Sequence, residues 1–237
     1  MLSLDCQDRY RERYRTIVPG WHTSGEIYES FVRRALASPQ MRLLDVGCGS
    51  GGVIEVMSEQ VALPVGVDTN LRSLEHHRDP SVRLAVSDLT RLPFADETFG
   101  LVVSSWVLEH LAQPVPAFIE IARVLKPFGH FVYVTPNARN VITAINRAVP
   151  KLIQSTLVRL LYNRGEKDTF PVAYNANTAE VIDSLAASVG LRAVEVVHVS
   201  DPTYLAFGEW LFRLSILIER LTPRRNHVHI VGDYVKA

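Results

Sequence analysis

The stretch Leu43-Leu44-Asp45-Val46-Gly47-Cys48-Gly49-Ser50-Gly51-Gly52 constrains this chain more than any other. A short apolar run ends in an acid and then meets four glycines within six residues. That is the pattern of a buried strand turning sharply into a helix that starts near Val53. Glycine suits such a corner because positive φ costs it little and the missing Cβ lets the backbone approach a ligand closely. A corner of this kind belongs to a parallel α/β sheet and predicts a nucleotide-like ligand at the strand tips.

Asp45 narrows the ligand. The dinucleotide fingerprint Gly-x-Gly-x-x-Gly fits Gly47, Gly49, Gly51 and Gly52 only in part. Asp45 stands two positions before the first glycine, where a pyrophosphate would come close. A carboxylate there repels a dianion and suits a cation. S-adenosylmethionine carries a sulfonium and an ammonium, so it meets that requirement. The motif Asp45-x-Gly47-x-Gly49-x-Gly51 is followed by Leu92-Pro93-Phe94-Ala95-Asp96-Glu97-Thr98-Phe99 and by Arg123-Val124-Leu125-Lys126-Pro127-Phe128-Gly129. Over residues 41–135 this series resembles the class I S-adenosylmethionine-dependent methyltransferases, within their type 11-like small-molecule group. It departs from them at Gly100, where aspartate is usual, and at Phe128, where glycine is usual.

The resemblance implies a doubly wound, Rossmann-like, seven-stranded α/β sheet. Six strands are parallel and the last is antiparallel, with helices on both faces and helical lid insertions. It also implies a cofactor site built from Asp45, Gly47, Cys48, Gly49, Gly51, Asp68, Thr69, Asp88, Leu89, Ser104 and Ser105. Asp68 ends a second strand, Leu63 to Val67, and an acid there meets ribose hydroxyls in a doubly wound sheet. Asp88 follows a third strand, Val82 to Val86. By resemblance it accepts from the adenine amino group, beside the Leu89 amide. Ser104 and Ser105 follow strand four, Leu101 to Val103, and by resemblance line the methyl-transfer centre. Val107-Leu108-Glu109-His110 then opens a helix.

Metal-assisted ubiquinone-pathway O-methyltransferases carry glutamate where this chain has Trp106, beside the positions of Glu109 and His110. With that triad broken, the expectation is no metal. S-adenosylmethionine is then the sole cofactor and S-adenosylhomocysteine the product. His110 has two readings, a structural hydrogen bond at the turn or a base near the substrate.

Bulk properties bound the rest. A chain of 237 residues suits one α/β domain spanning 1–237. Residues 1–40 form a helical cap, 41–135 the cofactor-binding half, and 136–176 and 200–226 the lid or substrate insertions. Lys plus Arg equals Asp plus Glu at 25 each, so no net field holds a polyanion and nucleic acid is not expected as partner. Cys6 and Cys48 suggest neither a metal site nor a disulfide framework, which fits a reduced, cytoplasmic setting. Charges at Asp5, Asp8, Arg9 and Arg11 occupy the place of a signal peptide's apolar core. No window is apolar over the ~18 residues that an integral membrane segment needs.

Along the remaining chain, Tyr10 and Tyr14 share a face of an N-terminal helix, as docking residues or as a flap. A second helix runs from Ser24 or Gly25 to Ala37, with Ile27, Phe31 and Leu36 inward. A third spans Val115 to Leu125, and strand five runs from Gly129 to Thr135. Residues 137–168 hold two helical stretches around Pro150, mixing Arg139, Arg147, Lys151, Arg159 and Arg164 with Leu152, Ile153, Leu157, Leu160 and Leu161. Asn177 or Thr178 caps a helix from Ala179 to Val189 that Gly190 closes, and strand six is Ala193 to Val199. Ser200 to Asn226 makes a helix apolar over much of its girth, and His227 to Lys236 is the last strand. Three readings stay open for that apolar helix: core or homodimer contact, the wall of a pocket for a greasy acceptor, or a peripheral membrane contact aided by Arg220, Arg224 and Arg225.

The chemistry implied is direct displacement at the sulfonium methyl. The protein aligns the reactants and excludes water, and alignment alone contributes ~7 kcal/mol or more. A hydroxyl acceptor needs a base as well, for which His22, His110, Tyr174 and His198 are candidates. The insertions suit a small-molecule acceptor with an apolar body and a polar or anionic end. Two other readings stand beside this one. A nicotinamide-dependent oxidoreductase is disfavoured by Asp45 and the glycine spacing, and a non-catalytic S-adenosylmethionine-binding partner protein would keep the same corner.

Overall fold

The computed structural model describes residues 4–148 and 172–237. They group into two compact units. The larger comprises Gly25–Thr135, Val172–Val197 and Ile230–Ala237, and the smaller Met1–Ser24, Pro136–Pro171 and His198–His229.

One seven-stranded sheet carries the larger unit. Its strands are β1 (Arg42–Val46), β2 (Leu63–Asp68), β3 (Arg83–Val86), β4 (Phe99–Ser105), β5 (Leu125–Pro136), β6 (Leu191–Val199) and β7 (His229–Lys236), in the spatial order β3-β2-β1-β4-β5-β7-β6. Six are parallel and β7 is antiparallel, the architecture the sequence implied. The chain winds outward from β1 through β2 to β3, then restarts on the other side of β1 with β4. That reversal puts the crevice of a doubly wound sheet at the carboxyl tips of β1 and β4. Leu43, Leu44 and Val46 are fully buried in β1, as both faces of a central parallel strand demand. The registers place Asp45 opposite Gly66 on one side and Val103 on the other.

The helices follow from periodicity and punctuation. α1 (Leu4–Ile17) belongs to the smaller unit and α2 (Ser24–Ala35) opens the larger. In α2 the buried residues are Tyr28, Phe31, Val32 and Ala35, while Ile27 and Leu36 are half-buried. The expected inward face was therefore rotated by about one residue. The i, i+3, i+4, i+7 stripe starts at the tyrosine, which the apolar reading had passed over.

α3 (Val53–Met57) runs into a 3-10 turn at Ser58–Gln60, and α4 (Leu71–Glu75) is capped by the Asn70 side chain. Leu108–His110 is a single 3-10 turn rather than the start of a helix. α5 (Pro114–Val124) begins only at Pro114, whose fixed φ suits a first turn. β5 begins earlier than Gly129, because Phe128 takes the left-handed φ of 62° at the glycine-like position and lets the chain run on as strand. α6 (Val141–Ala148) follows β5. α7 (Ala179–Ser188) is capped by Thr178, and Gly190 follows it at φ 81°. The readings placed on Lys151, Leu152, Ile153, Leu157, Arg159, Leu160, Leu161 and Arg164 fall outside the described residues.

On the β5–β7 side, Tyr133 and Tyr234 stack with centroids 5.9 Å apart. His130 Nδ1 lies 2.7 Å from Asp233 Oδ1. Gly232 makes the tyrosine stacking geometry possible, since a Cβ there would come within 2.6 Å of the Tyr133 ring.

In the smaller unit, Ser200 to Asn226 is a 3-10 turn at Pro202–Leu205 followed by α8 (Glu209–Leu221), not one helix. Tyr10 and Tyr14 are packing residues here. Tyr14 meets Trp21 edge-on at 5.0 Å and Tyr10 meets Phe212 at 4.5 Å. Ala206 and Ile216 complete this core. The Trp21 indole donates to the Ser200 carbonyl at 2.9 Å, and Arg11 pairs with buried Asp201 at 3.1 Å.

Candidate cofactor site

The glycine corner is held by the backbone of β2. Gly47 N and Cys48 N both donate to the Val67 carbonyl, at 2.7 and 3.0 Å. Gly47 has φ 75°, and a Cβ on it would come 2.3 Å from Val107, so this position needs glycine on both counts. Gly49 (φ 53°) donates its N–H to Asp68 Oδ2 at 2.9 Å, and Asn70 N donates to Asp68 Oδ1 at 2.8 Å. Asp68 therefore braces the loop after β1 from the tip of β2. Each oxygen keeps a second lone pair for an outside donor.

Behind this loop Asp45 Oδ1 is buried with no hydrogen-bond partner among the protein's own groups, and the buried Tyr28 phenol lies near it and near the Ser104 backbone. Such atoms are uncommon in folded proteins, and each calls for an explanation. Burial, with the charge of Asp68 second, pushes the Asp45 carboxyl up to about 7. Burial and the charge of Asp45 also raise the Tyr28 phenol well above its ordinary value. A cation with N–H donors placed here would hold Asp45 ionised and give its Oδ1 the missing partner. The residues present thus fit the ammonium and sulfonium of S-adenosylmethionine.

Cys48 lines the same corner with its thiol pushed up by burial. It is a packing residue, not a nucleophile. Asp88 is exposed, and its Oδ1 accepts from Thr90 N at 2.7 Å and Thr90 Oγ1 at 2.8 Å. The aspartate shapes the turn after β3 and leaves its other oxygen outward. Leu89 is buried beside it and Thr69 is exposed after β2. At the end of β4, Ser104 is buried and Ser105 half-buried.

Past β4 the backbone is strained. Trp106 has φ 57° and Tyr174 has φ 54°, left-handed conformations costing about 1 kcal/mol or more for such bulky residues. Between them in space is the turn Leu108–His110. The Glu109 carbonyl accepts from both Ala173 N (2.7 Å) and Tyr174 N (3.0 Å). The Glu109 carboxylate faces inward, accepting from Thr135 Oγ1 at 3.1 Å, and Asn177 Nδ2 donates to Thr135 Oγ1 at 2.6 Å. Burial raises Glu109 to about 7. His110 and Tyr174 are thereby brought to the same tip region of the larger unit, both half-buried. His22 and His198 lie in the smaller unit, His22 exposed and His198 half-buried.

Sequence reasoning missed Tyr28 and the Glu109–Thr135–Asn177 set. The signal for Glu109 was its place in the Leu-Glu-His segment, and Tyr28 carried no local signal. Trp106 offers no metal-ligating atom and Glu109 is engaged by Thr135. Among the described residues no group of three or more His, Cys, Asp and Glu gathers as a metal would need.

A mostly parallel sheet with a buried carboxylate behind a glycine corner at its switch point defines a Rossmann-like domain. More narrowly, residues 44–133 match the methyltransferase domain family, and the fold is the one shared by class I S-adenosylmethionine-dependent methyltransferases. A demethylmenaquinone methyltransferase of Corynebacterium kroppenstedtii is 35% identical over 97 residues, 41% of this chain and 42% of that protein. A ubiquinone biosynthesis O-methyltransferase of Alkalilimnicola ehrlichii is 34% identical over 103 residues, 40% of this chain and 42% of that protein. The chain thus spans less than half the length of these two curated relatives. Among solved structures, geranyl diphosphate C-methyltransferase from Streptomyces coelicolor shares the fold at TM-score 0.61. It is 17% identical and is matched over 90% of this chain and 77% of its own.

Proposed function

We propose that this protein transfers a methyl group from S-adenosylmethionine to a hydroxyl or amine of a small, partly apolar molecule. The observation that carries this reading is the Asp45 carboxyl, buried behind the glycine corner with Oδ1 lacking a hydrogen-bond partner. S-adenosylmethionine supplies an already activated methyl group, so the chain's part is to hold and orient. Asp45 faces the cationic end, Asp68 receives the ribose hydroxyls, and Asp88 with the Leu89 amide receives the base. Gly47, Cys48, Gly49, Gly51 and Thr69 shape the cradle, and Ser104 and Ser105 border the reacting end. His110 and Tyr174, fixed by the turn that Glu109 anchors, are the candidate proton acceptors or orienting groups, and His22 is a third candidate. The full range 1–237 acts as one methyltransferase, with 136–176 and 200–226 contributing to acceptor binding.

The acceptor has an apolar body and a polar or anionic end, in the manner of a quinone-like ring, a lipid, a glycan-linked lipid or an aromatic secondary metabolite. The quinone-pathway names of the two relatives support that class. Methyl transfer is independent of divalent metal, because Trp106 brings an indole and no carboxylate where a metal-assisted site would use a glutamate.

The test is calorimetry of the purified chain with S-adenosylhomocysteine and, separately, with NAD. Metabolite extracts are then screened for a mass gain of one methylene. Binding of NAD with none of S-adenosylhomocysteine would replace this reading by the oxidoreductase one. Cofactor binding without any methylated product would favour a non-catalytic partner protein.

A further inference from the structure

α8 has two apolar faces, and only one is used inside the smaller unit. Phe212 and Ile216 are buried with Tyr14, Trp21 and Ala206. Trp210, Leu211, Leu214, Leu217, Ile218 and Leu221 are all exposed, Trp210 by 83% and Leu221 by 76%. Their spacing of three and four residues draws them into one stripe about 16 Å long on the outer side of the helix. Val141 at the start of α6 is also exposed. With Ile218 and Leu221 it lines a groove of about 320 Å³ that Arg139 borders. An apolar surface this continuous marks an interaction site.

The charges around the stripe identify what it meets. Glu209, at the amino end, is taken by Arg13 and Arg213. Glu219 is only 13% exposed and lies 3.7 Å from His227 Nε2. The exposed charges at the carboxyl end are Arg220, Arg224 and Arg225, all of one sign. An apolar stripe with a tryptophan at one end and an arginine cluster at the other is the arrangement of a helix lying in a lipid headgroup layer. At 13 residues α8 is too short to cross a bilayer. A second copy of the chain fits less well, because its stripe would offer the arginines no open acid: Glu209 is taken by Arg13 and Arg213, and Glu219 is mostly covered.

We propose that α8 is a peripheral membrane-binding helix. Its outer stripe sits at the acyl boundary of an anionic bilayer, and Arg220, Arg224 and Arg225 reach the headgroups. The inference does not depend on the chemistry of the cofactor site. It makes an acceptor drawn from the membrane accessible without any membrane-spanning segment.

Co-sedimentation of the purified full chain with vesicles tests it. One set holds phosphatidylcholine alone and the other mixes in phosphatidylglycerol. The parent should bind the anionic vesicles at least tenfold more tightly, and the difference should shrink with added salt. The double change Leu214→Gln and Leu217→Gln should weaken that binding at least tenfold with the melting temperature unchanged. Replacing Arg220, Arg224 and Arg225 by Gln should remove the anionic preference, on the order of a hundredfold. Failure of the parent to sediment with either vesicle at low salt overturns the proposal, as does equal binding to both. Sedimentation velocity showing a dimer that Leu214→Gln and Leu217→Gln dissociate would assign the stripe to a second copy instead.

Discussion

At the scale of single residues the site turns on Asp45, whose burial lifts its pKa to about 7. A cationic ligand binds the ionised form. Affinity for S-adenosylmethionine should therefore rise about tenfold per pH unit up to pH 7 and level off above, with a proton released on binding. Calorimetry in buffers of different ionisation enthalpy reads that proton, and Asp45→Asn should flatten the profile. The stability sign is the reverse of that for a salt-bridged carboxylate. Between roughly pH 4 and 7 the folded state keeps a proton that the unfolded chain has lost, so Asp45 makes the apo protein less stable as pH rises through that window. Asp68→Ala should cost roughly 1.5–3 kcal/mol of cofactor affinity, the worth of hydrogen bonds to a charged group. Part of this loss comes through the anchors it gives Gly49 and Asn70. Unchanged cofactor binding by that variant would remove Asp68 from the site. Asp45 and Asp68 stood out in the sequence because each lies at the carboxyl end of its own strand, beside the glycine corner. Tyr28 was not, since it reaches Asp45 only through the way α2 docks, which no local pattern records.

At the scale of elements, α8 separates exposed from buried apolar residues on a single helix. Trp210→Ala should leave the melting temperature within a degree or so, since surface changes are usually worth less than about 0.5 kcal/mol. Phe212→Ala should cost about 3–5 kcal/mol and lower it by many degrees. Equal effects in thermal melts would mean that the stripe is core after all. In the larger unit, Gly232→Ala forces a Cβ into the Tyr133 ring and should loosen β7, read as faster amide exchange along β5 and β7. Strand and helix existence was plain in the sequence, because period and glycine–proline punctuation are local. The places that differed, Leu108–His110 and the break at Pro202–Gly208, are short turns whose form depends on what they dock against. The outer half of α8 reads the same in sequence whether it faces core or solvent.

At the scale of the whole molecule, the metal question is testable without knowing the acceptor's exact identity. Activity on any acceptor found should survive a strong chelator, and complete loss restored by magnesium would contradict the reading of Trp106. No helix of the described residues is long and apolar enough to cross a membrane. The smaller unit is assembled from three separate stretches of chain, with most of the sheet encoded between them. Arg11 and its partner Asp201 lie 190 positions apart, and Trp21 and Ser200 lie 179 apart. During synthesis at about 5–20 residues per second, α1 leaves the ribosome some 10–40 s before Phe212, the ring that Tyr10 meets, exists. For that interval the aromatic face carrying Tyr10, Tyr14 and Trp21 lacks Ala206, Phe212 and Ile216, the other half of its core. Chains stalled short of residue 200 should therefore be cut by protease near α1, while the β1–β5 core behind it already resists.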